Sequence, residues 1–221
     1  MSKKKVYLIH TVKQFMDMIY LPLAIPFLDE NPEVEIFNIM DDSLLPDTLN
    51  EGKLTDKVAR RILNYAHAAE SNGADCIMVT CTSVNEAAKY ARKFVNVPMF
   101  NIDEPVAKLA VATGKKIGIL ATLPTSPTAT LRLIEEEAAL QGKEIESVIK
   151  VVDGAFDILV SGDRDKHDQM VRDALMELAK EVDVVTFAQI SMSRVEHDDP
   201  GIPVLKIGKS GFEEVKHVLQ L

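Results

Sequence analysis

The sequence predicts an α/β protein of two pseudo-symmetric lobes, each a mainly four-stranded parallel sheet flanked by helices, sharing one active-site cleft. Three observations predict it. Short β-branched runs alternate with longer helical patterns, the signature of parallel strands joined by crossover helices. The pattern also repeats within the chain: Lys4 to Thr11 lines up with Lys115 to Thr122 at an offset of 111, Asp75 to Cys81 with Asp183 to Gln189 at 108, and Val97 to Ile102 with Ile202 to Ile207 at 105. Finally, 221 residues that are 47% hydrophobic and 27% charged suffice for two lobes with buried cores. The lobes are expected over 1–102 and 103–221, joined near Asp103 to Gly114, with the C-terminal helix free to pack back on the first lobe. No Gly/Ser-rich linker separates them.

Taken in order, Val6-Tyr7-Leu8-Ile9 reads as the first strand and Val34 to Ile39 as the second. Leu54, Val58, Ile62, Tyr65 and Ala69 recur at helical spacing, giving one apolar helix face. Cys76 to Val79 and Val97 to Phe100 complete the first set of strands. The second set is Lys116 to Leu120, Glu144 to Val152, Val182 to Phe187 and Pro203 to Ile207. Between them, Ser126-Pro127 opens a helix that Gly142 closes, with Ser as N-cap and Pro at the first position. Val171, Ala174, Leu175 and Leu178 mark a further helix, and the charged run from Asp163 to Asp168 at its start reads as a solvated face.

Charge excludes some functions. Twenty-five Lys and Arg against 34 Asp and Glu leave a net charge of −9, which repels phosphate backbones, so nucleic acid is not an expected partner. No run is long enough for a membrane span, and the short apolar stretch after Lys3-Lys4-Lys5 is too brief for a signal peptide. Cys76 and Cys81, in an extended segment, stand roughly 16 Å apart at about 3.3 Å per residue, too far for a disulfide. Free thiols point to a cytoplasmic protein. No metal-ligand spacing, dinucleotide fingerprint or P-loop occurs, so no metal or cofactor is expected.

Ligands of open parallel sheets sit beyond the carboxyl ends of the strands. There the sequence offers His10-Thr11, Thr80-Cys81-Thr82-Ser83, Ala121-Thr122 with Thr125-Ser126, and Ala188-Gln189-Ile190-Ser191. These are mostly small, neutral and hydroxyl-rich, which suits a small anionic ligand held by backbone N–H groups and hydroxyls. No obvious further cation stands at the strand ends, which argues against a ligand with several charges. Cys81 precedes Ser83-Val84-Asn85-Glu86, a capping-box pattern, so a helix dipole is expected to lower its pKa and favour thiolate. The alternative is a small buried core cysteine, the reading given to Cys76. Ser126 reads equally as an anion contact or a helix cap. His10 reads as a binding or proton-transfer group or as a packed histidine, and His67, His167, His197 and His217 read as surface residues.

Two similar α/β halves with Val79-Thr80-Cys81-Thr82-Ser83 in the first, and Ile119-Leu120-Ala121-Thr122 with Thr125 and the segment from Asp183 to Ser191 in the second, resemble the aspartate/glutamate and hydantoin racemase superfamily over nearly the whole chain. The resemblance implies a cofactor-independent isomerase acting at the carbon next to a carboxylate or carbonyl of a small acid. In that family each half supplies a cysteine, one removing the α-proton and the other returning a proton to the opposite face, while neighbouring Thr, Ser and Asn groups bind the carboxylate. Cys81 matches the first cysteine. Gln189 stands where the second is expected, and an amide only hydrogen-bonds. The implied catalytic set is Cys81, Gln189 and His10, with Thr11, Thr82, Ser83, Thr122, Thr125, Ser126 and Ser191 binding a small carboxylate-bearing substrate. A single-cysteine lyase or decarboxylase, or a non-catalytic binder of small carboxylates, is the alternative. Two-lobed proteins of this type commonly pair, so a homo-oligomer is expected.

Overall fold

In the computed structural model, which describes residues 2–124 and 126–221, the chain divides into two compact units: Met1–Asp103 with Gly208–Leu221, and Glu104–Ile207. Each contains one four-stranded, all-parallel sheet flanked by helices.

The first unit begins with β1 (Lys4–His10), a π-helical turn over Met16–Ala24 and α1 (Ile25–Glu30). Then come β2 (Val34–Met40), α2 (Leu44–Glu51), α3 (Asp56–Ser71), β3 (Cys76–Val79), α4 (Asn85–Ala91) and β4 (Met99–Asn101). The strand order is β2-β1-β3-β4. All four residues of β3 are buried, so it reads as an uninterrupted apolar run, whereas the edge strand β2 is only partly covered. Thr55 caps α3 by accepting the Val58 N–H at 3.3 Å, and Val58, Ile62, Ala66 and Ala69 turn into the core. That face packs with Ile9, Ile77 and Val79 of the sheet and Val84, Ala87 and Ala88 beside α4.

The C-terminal helix α9 (Lys209–Leu219) belongs to this first unit. Gly211 permits its close approach: a Cβ there would lie 2.7 Å from the Ile102 side chain and 3.2 Å from Met78. Phe212 stacks obliquely on Phe27 of α1 at 5.2 Å. Arg61 of α3 ties the exit of β2 to the helices, bonding Asp41, Ser43 and, at 2.8 Å, Asp47, while the Tyr65 hydroxyl donates to Asp41 at 2.5 Å. Burial alone would raise the Asp41 pKa, but the hydrogen bonds from Tyr65, Ser43 and Arg61 hold it at about 2.

The second unit repeats the plan. Its elements are α5 (Glu104–Thr113), β5 (Lys116–Ala121), α6 (Ser126–Gln141), β6 (Glu146–Val151), α7 (Ala155–Val160), α8 (Arg164–Leu178), β7 (Val184–Phe187) and β8 (Val204–Leu205), with strand order β6-β5-β7-β8. One face of the sheet packs Ile117, Ile119 and Val184 on Ala107, Ala110, Val111 and Ile134. The other packs Leu120, Val185 and Phe187 on Val171, Leu175 and Leu178.

The internal repeat has a hydrogen-bonding cause. Asp75, just before β3, accepts the Lys5 N–H at 2.8 Å, and Asp183, just before β7, accepts the Lys116 N–H at 2.7 Å. Each carboxylate sets the register at the start of its central strand pair, so the Lys-Lys and Asp positions recur together. The boundaries differ from the sequence expectation mainly at β4 and β8, which are shorter. His167 departs further: it lies on the buried face of α8 and is 0% exposed, not on the surface.

Candidate functional site

In each unit the crossover after the first strand leads to one side of the sheet and that after the third strand to the other. The carboxyl ends of β1 and β3, and of β5 and β7, therefore flank topological switch points, where open α/β sheets bind ligands. At these ends lie Thr11 and Cys81 in the first unit and Thr122 and Gln189 in the second.

Cys81 follows β3 with extended backbone (φ −141°, ψ 121°) and precedes a 3₁₀ turn over Thr82–Val84 that runs into α4. The expected capping box is not formed. Ser83 lies inside the turn, and the residue before α4 is Val84, with no side-chain cap. The position opposite the first free N–H groups is held by Cys81 itself. Its sulfur completes no capping hydrogen bond, but the N–H groups of Ser83 and Val84 and the Thr11 hydroxyl lie beside it and favour thiolate. Burial outweighs them and pushes the Cys81 thiol up, with the Asp103 carboxylate adding to the rise. This corrects the expectation of a lowered pKa. A three-residue 3₁₀ turn supplies little dipole, and desolvating a thiolate costs more than two nearby N–H groups return. Cys81 retains partial exposure, whereas Cys76 is buried and its thiol is pushed up to about 12 by burial and by the charges of Glu214 and Asp75.

Polar groups around Cys81 include several that the sequence reading did not single out. Asn101, ending β4, donates its amide to the Cys81 carbonyl at 3.0 Å, and Asn85 donates to Asp103 at 3.2 Å. Thr82, Asn85, Asn101 and Asp103 are all buried. A run of Asn-x-Asp closing a strand could have flagged two of them. Thr11 is 1% exposed, and its hydroxyl has no hydrogen-bond partner beyond the approach to the sulfur.

His10 is fully buried and stacked on Phe15 at 4.2 Å. Its Nε2 lies 2.8 Å from Asn38 Oδ1 and its Nδ1 lies 2.9 Å from the Thr80 hydroxyl. An amide oxygen only accepts, so Nε2 carries the proton and Nδ1 of the neutral ring is an acceptor that shares the single Thr80 hydroxyl hydrogen with the Ile9 carbonyl at 3.1 Å. Burial brings the His10 pKa down to about 4 despite the Asn38 bond. The unfolded imidazole protonates near 6.5, so between pH 6.5 and 4 the unfolded chain binds more protons. His10 should therefore cost nothing above pH 6.5 and about 3 kcal/mol of stability by pH 4. Urea midpoints measured from pH 7 to 4 should fall more steeply for the natural chain than for His10→Gln; parallel curves would assign the imidazole an ordinary pKa.

The second unit has the same frame with different chemistry. Gln189 follows β7 in the conformation of Cys81 (φ −145°, ψ 142°) and likewise precedes a 3₁₀ turn, over Ile190–Met192. Its Oε1 accepts the Thr122 N–H at 2.6 Å, the Leu123 N–H at 3.2 Å and the Thr122 hydroxyl at 3.2 Å. The donors that the sequence assigned to a ligand here thus hold a side chain of the protein. Ser126 is buried at the start of α6, its hydroxyl without a partner, and Ser191 is buried in the 3₁₀ turn. Thr125 lies outside the described residues. Ser83 is partly exposed.

Lys206 corrects the expectation that no further cation stands at a strand end. It follows β8 directly, donates to the Val195 carbonyl at 2.6 Å and lies 5.8 Å from the centre of the Phe187 ring. Burial lowers its pKa, with Glu196 opposing. The argument against a ligand with several charges loses its premise. Among the described residues, no three His, Cys, Asp or Glu side chains gather as a metal-binding group, and no helix is long and apolar enough to cross a membrane.

The sequence profile of the Asp/Glu/hydantoin racemase family matches residues 28–215. No curated protein matches the sequence. Among solved structures, a glutamate racemase isoform from Bacillus anthracis superimposes with a TM-score of 0.71 at 16% identity, covering 100% of this chain and 83% of its own. Allantoin racemase from Klebsiella pneumoniae gives 0.68 at 14%, covering 99% and 88%. A mutant of arylmalonate decarboxylase in a sulfate-associated form gives 0.61 at 12%, covering 98% and 93%.

Proposed function

Because the chain belongs to the Asp/Glu/hydantoin racemase family, and so to enzymes of the racemase type, we propose that it is a cofactor-independent isomerase acting at the carbon next to a carboxylate or carbonyl of a small acid, with Cys81 as its proton carrier. The observation that carries this reading is the pair of matched strand ends, a thiol after β3 and a glutamine after β7. A racemase needs a proton carrier for each face of the stereocentre. Gln189 cannot ionise near neutral pH, and the neutral His10 imidazole has both ring nitrogens engaged. Of these three groups, Cys81 alone is a free proton carrier.

Burial raises the Cys81 pKa and so favours the thiol, which suits a donor to an enol carbon: as the carbon takes the thiol proton the enol oxygen releases its own to solvent, and solvent re-protonates the thiolate. The N–H groups beside the sulfur and the Thr11 hydroxyl stabilise the thiolate left after transfer. Thr82, Ser83, Ser126 and Ser191 supply hydroxyl or backbone donors for the substrate carboxylate in this reading, and His10 positions Thr80 and the turn carrying Cys81. The expected reaction is an isomerisation or tautomerisation with one stereochemical outcome.

A lyase is the second reading, favoured by the single thiol. Loss of carbon dioxide also leaves an enolate-like carbon and needs protonation on one face only. The similarity to a decarboxylase structure at 12% identity supports the fold for that chemistry and no more. Both readings predict that deuterium from D₂O enters the carbon next to the carboxylate of the substrate. A panel of small 2-substituted, hydroxy- and keto-acids followed by proton NMR tests this. Exchange into none of them would favour a binder of small carboxylates over an enzyme.

A further inference from the structure

We infer that the outer edge of β6 is an interface with a second copy of this chain, the two β6 strands pairing antiparallel about a twofold axis at Val148 and joining two four-stranded sheets into one. The pairing is independent of the chemistry at the strand ends. β6 and β2 are the long outer strands of their sheets. In β6 the Glu146 N–H bonds the Lys115 carbonyl at 2.9 Å, and just beyond it the Val152 N–H bonds the Ala121 carbonyl at 2.8 Å. Alternate residues of a parallel strand bond to the same neighbour, so Glu146, Val148 and Lys150 direct their main-chain groups at β5. Those of Ser147, Ile149 and Val151 point outward and meet no hydrogen-bond partner among the described residues. Such a row of unpaired groups on an exposed strand is a template for another strand.

Charge complementarity selects β6 itself as the partner. With Val148 opposite Val148 of the second copy, Ser147 and Ile149 exchange main-chain hydrogen bonds across the axis, and Glu146 faces Lys150 on both sides of it. These facing charges occupy non-hydrogen-bonded positions, where opposed side chains come closest. Sliding the register by two residues either way sets Glu146 opposite a valine, Val148 or Val152, and loses the reciprocal match. Within one chain Glu146 reaches Lys116 at 3.5 Å and Lys150 reaches Glu177 at 3.2 Å, but all four side chains are exposed and open to a further partner. β2 has no such self-match, since Glu35 is its only charged residue. On the other face of β6, Ile149 is 45% exposed beside Ile119, which packs on α6, and Leu140 near the end of α6 is 82% exposed. Pairing sets the two Ile149 side chains diagonally across the axis, where they cover one another.

Sedimentation velocity on the full chain, from low to high micromolar concentration, tests the pairing. The natural chain should populate a dimer. Lys150→Glu or Glu146→Lys alone should raise the dimer dissociation constant at least about tenfold, because the twofold axis counts each change twice and turns attraction into repulsion. Carrying Glu146→Lys and Lys150→Glu together sets opposite charges face to face again and should restore the dimer. Each variant also loses an exposed pair with Lys116 or Glu177, a contact of little worth to stability, so circular dichroism should show all three folded. If one single variant does not fold, the other single variant and the exchange decide. A natural chain that stays monomeric at high micromolar concentration would overturn the proposal. So would a dimer indifferent to both single changes, or weakening that the exchange does not reverse.

Discussion

Replacing Cys81 by serine should abolish turnover, lowering it by at least about 10²–10⁴-fold, the usual worth of a positioned acid or base, while leaving the thermal midpoint nearly unchanged. The substitution exchanges sulfur for a smaller oxygen at a partly exposed position, so packing changes little. What it removes is acidity. A hydroxyl is a far weaker acid than a thiol, and the Ser83 and Val84 N–H groups beside it cannot close that gap. Circular dichroism and a steady-state assay on the two proteins check both halves of the expectation. Full activity in Cys81→Ser would take the thiol out of the mechanism and shift the proton-transfer role to His10.

Gln189→Cys should have the opposite effect, creating or raising racemisation of a suitable 2-substituted acid by about 10²–10⁴-fold. A cysteine there would put a thiol at the position in the second unit that matches Cys81, supplying the second proton carrier that racemisation requires. Polarimetry starting from one enantiomer measures the gain. No change with any acid tested would mean that position 189 does not reach the stereocentre and that the two halves do not share a substrate.

The strands were legible because they are buried on both faces. Cys76 to Val79 is an unbroken apolar run and Val184 to Phe187 is interrupted only by the buried Thr186, and the structure pairs them where the repeat placed them. The matched positions of Cys81 and Gln189 were legible too, since an Asp six residues earlier marks each strand entry. The π-helical segment Met16–Ala24 was not legible: it contains Pro22 and buries only Ile19 and Ala24, so it has no periodic apolar face to read. The state of the Cys81 thiol was misread because its sign depends on a competition between burial and local N–H groups, and only the folded chain sets the burial. The partners of His10 lie 28 and 70 residues away, and Gln189 meets its donors 66 and 67 residues away. No local pattern encodes such pairings.

The central claim is that one thiol delivers one proton to one face. Running the natural enzyme in D₂O on its substrate and resolving the product enantiomers by chiral chromatography with mass detection tests it most directly. The account predicts a product carrying a single deuterium at the carbon next to the carboxylate, in one configuration throughout the reaction, with none formed by Cys81→Ser. Deuterium appearing in both enantiomers from the first turnovers would show a second proton carrier and contradict it.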